Sequence, residues 1–322
     1  MKKALHDIMK IFFTSDVHGS EKTFLKFLNA GKFYKANVQI LGGDITGKVV
    51  IPIFVEDDGT FKAHFLGANY VFKEENEVID LEKKIRDNGF YSFREKPEEI
   101  VRINSSPREK DALFEKLMVE RLRSWVQIAD QRLSGTKIQC YVMPGNDDSF
   151  AVDSVLNESK SIVNPEGKVV ELVDGYEMIS SGFSNMTPWK CPRDVSEEEL
   201  ASKFDAMTSQ VKDMSKCVFN FHCPPKGTNI DQAPKLDGNL QPKMGPSGTI
   251  MESVGSIAVT ESIEKHQPLL GLHGHIHESR GTAKIGRTLC INPGSEYGEG
   301  ILRGALLSLK GDRVESYSFT SG

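Results

Sequence analysis

Ile8-Met9-Lys10-Ile11-Phe12-Phe13-Thr14-Ser15-Asp16-Val17-His18-Gly19 decides the fold. Residues 8–13 are mostly apolar and suit a buried strand, and polar residues begin abruptly at its carboxyl end. Ser20 then reads as the N-cap of a helix carrying Phe24, Leu25, Phe27 and Leu28, closed by Gly31. Residues 38–41 form a second apolar run, followed by Gly42-Gly43-Asp44. This is a βαβ unit. Its right-handed crossover makes the two strands parallel, so Asp16, His18 and Asp44 leave the sheet at one edge. Ligands of open α/β sheets gather outside that edge.

The same ending recurs along the chain. Residues 138–143 run into Pro144-Gly145-Asn146-Asp147-Asp148, and residues 218–221 into His222-Cys223-Pro224-Pro225. Residues 268–272 lead to His273-Gly274-His275-Ile276-His277, which packs three of the eight histidines into five residues. Alternate residues of an extended chain point the same way, so His275 and His277 can face a common cluster. Each ending alone has a bland reading: Asp16 as a turn cap, Asn146 as a left-handed turn residue, His222 as a satisfied core histidine. Five together predict one cluster of mixed oxygen and nitrogen ligands. That composition suits divalent manganese, iron, nickel or zinc rather than a calcium or thiolate site.

Between residues 48 and 133 the pattern changes. Residues 49–55 and 61–65 flank the turn Glu56-Asp57-Asp58-Gly59 and predict a β-hairpin, and residues 75–87 predict a helix stopped by Asn88-Gly89. Ser106-Pro107-Arg108-Glu109 combines a capping box with proline at the first helical position. It opens a long helix whose stripe of Leu113, Leu117, Leu122, Trp125, Ile128 and Ala129 reads as core packing, with Gly135 as its end. Further strands are expected at 169–173, 176–180, 288–291, 305–309 and 314–318, and helices at 197–214 and 255–265. Residues 226–249 are rich in Gly, Pro, Asn and Asp, and such long loops usually serve a site. The expected organisation is one domain over 1–322 with 48–133 as an inserted cap.

A chain of 322 residues, 39% hydrophobic and 26% charged, belongs to the ordinary globular class. A net charge of −5 gives no global attraction to nucleic acid or an anionic membrane, and neither is expected as a partner. Five scattered cysteines without CxxC spacing point to reduced core thiols. The basic start, residues 1–10, is interrupted by Asp7 and Lys10 and does not read as a signal peptide. With no long apolar run, a cytoplasmic protein is expected.

The ordered set DxH at 16 and 18, GD at 43 and 44, GN at 145 and 146, His222, and GHxH at 274–277 resembles the calcineurin-like metallophosphoesterases. His222-Cys223-Pro224-Pro225-Lys226-Gly227-Thr228 and Asn292-Pro293-Gly294-Ser295 look like the branch related to cyclic-nucleotide phosphodiesterases. The resemblance implies an α/β fold of two facing mixed β-sheets flanked by helices, with a two-metal centre. Carried over by motif, Asp16, His18 and His277 bind the first metal, Asn146, His222 and His275 the second, and Asp44 bridges them. Two cations roughly 3.5–4 Å apart acidify a water for in-line attack on phosphorus. The implied activity is hydrolysis of a small phosphate ester with two divalent transition metals, manganese first.

One departure bears on the chemistry. The family commonly places a histidine after the asparagine, where this chain has Asp147. An aspartate beside cations is a poor general acid at neutral pH, so the leaving-group proton would come from solvent, His273 or the 226–249 loop. Asp148 reads as an orienting neighbour or a turn residue. An acid-poor site favours good leaving groups, hence a phosphodiester over a monoester. Phosphomonoesterase, protein phosphatase and a non-catalytic binding scaffold are the alternatives.

Overall fold

The computed structural model describes residues 8–246 and 248–322, so most of the basic start lies outside the described residues. Two six-stranded mixed sheets face each other. The first contains Met9–Thr14, Val38–Gly42 and Gln139–Met143 as parallel neighbours, extended by Ile162–Val163 and by the antiparallel closing hairpin Arg303–Lys310 and Arg313–Ser321. The second contains Glu177–Ser181, Cys217–Phe221, Leu270–Leu272 and Thr288–Asn292 as parallel neighbours, with Val169–Glu171 and Gly281–Ile285 antiparallel at its edges.

Strand periodicity divides the side chains between layers. Ile11 and Phe13 point into the space between the sheets, with Val218 and Leu270 from the opposite one, whereas Phe12 faces the outer helices. There, helices Glu21–Tyr34 and Pro107–Leu133 cover the first sheet, and Phe24 stacks on Trp125 with ring centroids 4.2 Å apart. Helices Glu197–Thr208 and Ile257–His266 cover the second. This is the layered α/β architecture implied by the motifs. The long helix therefore belongs to the layer over the first sheet. The insertion's own small core, built from Ile53, Phe65, Val78, Leu81 and Ile85, lies under the sheet formed by Val50–Val55, Phe61–Phe65, Ala68–Phe72 and Tyr91–Glu95.

Three local expectations are corrected. The first helix passes Gly31 and ends at Tyr34, where Lys35 takes the left-handed conformation (φ 54°) and donates to the Gly31 and Lys32 carbonyls. Ser106 precedes Pro107 as expected but makes no side-chain cap: the Glu109 N–H donates to the Ser106 backbone carbonyl at 3.1 Å, and the Glu109 carboxylate pairs with Arg102. The helix predicted over 197–214 stops at Thr208. Among the described residues no helix is long and apolar enough to cross a membrane, and all five cysteines are free.

Burial pushes the Glu166 carboxyl up to about 7 from its usual 4.5, although it accepts the Gly182 N–H at 2.6 Å. The unfolded chain releases this proton at lower pH, so the carboxylate costs stability progressively between those two values. Glu166→Gln keeps an acceptor for Gly182, and is expected to stabilise the protein on the order of 2 kcal/mol at pH 8 with no gain at pH 4. Thermal melts at the two pH values check this.

Candidate metal centre

The five strand ends converge. Asp16 and His18 follow Met9–Thr14, Asp44 follows Val38–Gly42, Asn146 follows Gln139–Met143, His222 follows Cys217–Phe221, and His275 with His277 follow Leu270–Leu272. The ligand-type atoms of Asp16, His18 and His277 all lie within 4.8 Å of one another, as do those of Asp44, His222 and His275. Asp44 faces both groups: one carboxylate oxygen is 3.6 Å from His18 Nε2 and the other 3.3 Å from His222 Nε2. His18 and His277 bring their Nε2 atoms to 3.0 Å.

The backbone is held in unusual conformations to achieve this. Asp16, His18, Asp44 and His275 have φ values of 58°, 40°, 49° and 66°, a region that non-glycine residues seldom occupy. Such strain persists where surrounding structure over-determines it, and it clusters at functional sites. Gly145 is required for the close approach, since a Cβ there would overlap the Asp44 carboxylate.

The donor set fits divalent cations. His222 Nδ1 donates to the Gly42 carbonyl at 2.8 Å, which leaves Nε2 to the cluster, buried and without a hydrogen-bond partner. Asn146 Nδ2 donates to Asp194 at 2.9 Å, and Asn146 Oδ1 is likewise buried and unpartnered. Because Asp194 can only accept, it fixes which end of the amide faces the cluster. Burial pushes His18 down to about 3 and His275 to about 4. Burial also opposes charge on His222, but the Asp44 and Asp16 carboxylates override it and lift its imidazole to about 10. Burial opposes ionisation of Asp16, yet neighbouring His277 and His222 hold it down to about 2. The two buried carboxylates thus draw protons onto His222 and His277, and a bound divalent cation would take the place of those protons.

The remaining sequence candidates separate. Asp147 borders the cluster: its carboxylate groups with His18 and Asp44, pairs with Lys48, and accepts from Cys191 Sγ at 3.3 Å. Asp148 is buried behind it, accepting the N–H groups of Ile45, Thr46 and Gly145 at 2.8–2.9 Å, so it ties the two ligand loops together. Burial and the nearby Asp44 push its carboxyl up to about 6. His273 is not in the cluster. It is 0% exposed, with Nδ1 at 2.8 Å from the Phe221 carbonyl, and offers no atom to a leaving group.

Sequence reading missed four participants. Tyr297 lies against the His18 ring, with centroids 4.7 Å apart, and Lys48 reaches Asp147. Asp194 orients Asn146, and Arg193, 2% exposed, donates to the Asp148 and Ser149 carbonyls and pairs with Asp153. The strand-end rule cannot find them: Lys48 and Arg193 sit in loops, Asp194 opens the two-residue strand Asp194–Val195, and Tyr297 opens a single 3-10 turn. Asp194→Ala is expected to weaken manganese binding by about 10- to 100-fold through loss of the Asn146 orientation. Calorimetric titration with manganese checks this, and an affinity equal to that of the wild type would show that Asp194 does not orient Asn146.

The two facing sheets, with the Asp, Asn and His side chains at their strand ends, form the layered α/β fold that the motif resemblance implies. No protein-family model matches the chain. The uncharacterized protein MJ1162 of Methanocaldococcus jannaschii is 31% identical over 153 residues, 47% of this chain and 62% of that relative. The match therefore spans less than two thirds of the relative's length. Among solved structures, one chain superposes with a TM-score of 0.58 at 16% identity, covering 98% of this chain and 99% of its own. TT1561 of Thermus thermophilus superposes with a TM-score of 0.53 at 13% identity, over 98% and 99%. At these identities the likeness is one of fold.

Proposed function

We propose that this chain is a two-metal phosphoesterase that prefers phosphodiesters and works with manganese. The observation that carries the reading is Asp44, whose two oxygens address two separate histidine groups. Asp16, His18 and His277 would hold one cation and Asn146, His222 and His275 the other. The chemistry such a pair supplies is an acidified water as nucleophile and neutralisation of the phosphoryl oxygens.

The chain's own residues shape what surrounds that chemistry. Tyr297 packs its ring against His18 and His277 on one side of the cluster. Lys48 places an ammonium beside Asp147 at the edge of the site. The Asp147 carboxylate pairs with Lys48 and accepts from the Cys191 thiol. With His273 enclosed, solvent and the 226–249 loop are left to protonate the leaving group, which supports a preference for diesters of acidic alcohols.

Chelator-stripped protein refilled with manganese is expected to hydrolyse bis(p-nitrophenyl) phosphate faster than p-nitrophenyl phosphate. Faster monoester turnover would make it a phosphomonoesterase. No turnover of either ester with any divalent metal would favour a binding scaffold.

A further inference from the structure

The insertion is stitched to the ligand loops rather than hung from them. Gly47 N–H donates to Tyr91 Oη at 3.0 Å, Ser20 Oγ donates to the Asp87 carbonyl at 2.6 Å, and Arg121 donates to the Gly19 and Phe90 carbonyls at 3.2 and 3.3 Å. A Cβ on Gly47 would overlap the Gly89 carbonyl, so the two backbones meet directly. Beside this seam lies a cavity of about 550 Å³. Val50 and Phe93 line it from the insertion sheet, Ile100 and Ile103 from helix Pro97–Asn104, and Phe114 from the long helix. Lys48, Lys110 and Asp111 add charged groups to the lining, and the Lys48 ammonium pairs with Asp147, which stands among the cluster's ligand atoms.

Most of these apolar side chains are only half-buried, although they sit between packed elements. The volume is that of a small-molecule pocket, and its apolar walls beside the Lys48 ammonium are complementary to an aromatic group attached to an anion, while Lys110 and Asp111 add opposite charges to the rest of the lining. We propose that this cavity is a subsite for the alcohol part of the substrate, an aromatic ring system, with the phosphoryl group on the metal side of Lys48. The placement of the phosphoryl group rests on the phosphoesterase reading; the affinity of the cavity for the ring does not.

The test is binding to the full-length chain. With manganese present, calorimetry is expected to show 1-naphthyl phosphate binding at least about ten-fold more tightly than inorganic phosphate. In metal-free protein, 1-naphthol is expected to show a blue-shifted fluorescence. Ile103→Trp, which fills the cavity, and Phe93→Ala, which removes a wall, should each reduce both effects while leaving phosphate affinity unchanged, with thermal melts confirming the fold. Equal affinities for the two phosphates in the wild type, or preferences retained in both folded variants, would overturn the subsite. Tight naphthyl phosphate binding without hydrolysis by any metal form would remove the phosphoesterase reading and keep the subsite.

Discussion

Asp44→Asn is expected to lower phosphodiester turnover by about three orders of magnitude, equivalent to about 4 kcal/mol, and to leave one tightly held cation where the wild type holds two. A carboxamide keeps a single good acceptor oxygen. It can serve the His18 side at 3.6 Å or the His222 side at 3.3 Å, but not both. The loop itself should persist, because the Asp44 carbonyl accepts the His18 N–H at 2.9 Å through the backbone, and Asp148 still ties Ile45 and Thr46 to the neighbouring loop. Metal content and turnover of the purified variant check the two halves separately. Two retained cations with the wild-type rate would remove Asp44 from the bridging role.

Arg193→Met is expected to destabilise the fold by about 3 kcal/mol, although the residue touches no ligand-type atom. Its guanidinium is buried against the Phe150 ring, 4.4 Å from the centroid, and donates to the Asp148 and Ser149 carbonyls at 3.1 and 3.3 Å. Methionine replaces much of the volume but none of the donors. It leaves those carbonyls and the Asp153 carboxylate, 30% exposed, without their cation. Solvent reaches Asp153, which places the cost at the low end of the range for broken buried pairs. The segment released is the one that follows Asn146, so manganese affinity should fall with the melting temperature. A denaturant melt within about 0.5 kcal/mol of the wild type would show that the segment is held by its apolar contacts alone.

The same contrast explains what could be read in advance. Strands such as Met9–Thr14 and Cys217–Phe221 are short, buried runs that change abruptly to Asp, Asn or His, and the right-handed crossover rule places such ends at one sheet edge. The ligand candidates were legible for that reason. The insertion was legible only where pairing is local. The hairpin of Val50–Val55 with Phe61–Phe65 has its turn between the strands, but Tyr91–Glu95 joins Val50–Val55 in parallel from a distance, and no local signal marks that partner. Ala68–Phe72 escaped notice because its side chains are mostly exposed and its turn relies on Leu66 and Gly67 with φ of 49° and 76°. Gly31 resembles a stop because glycine weakens a helix interior; here it lies within the helix, close against the end of the Gln39 side chain. Asp194, in a two-residue strand, and Tyr297, in a single 3-10 turn, reach the cluster only through the finished fold.

Whether two cations share Asp44 can be decided without a substrate. The measurement is manganese binding to chelator-stripped protein, followed by equilibrium dialysis and by electron paramagnetic resonance. Two ions per chain are predicted, with a spin-coupled signal growing as the second binds and with loss of that coupled signal in Asp44→Asn. A single ion per chain, or two uncoupled ions unaffected by Asp44→Asn, would contradict a shared carboxylate.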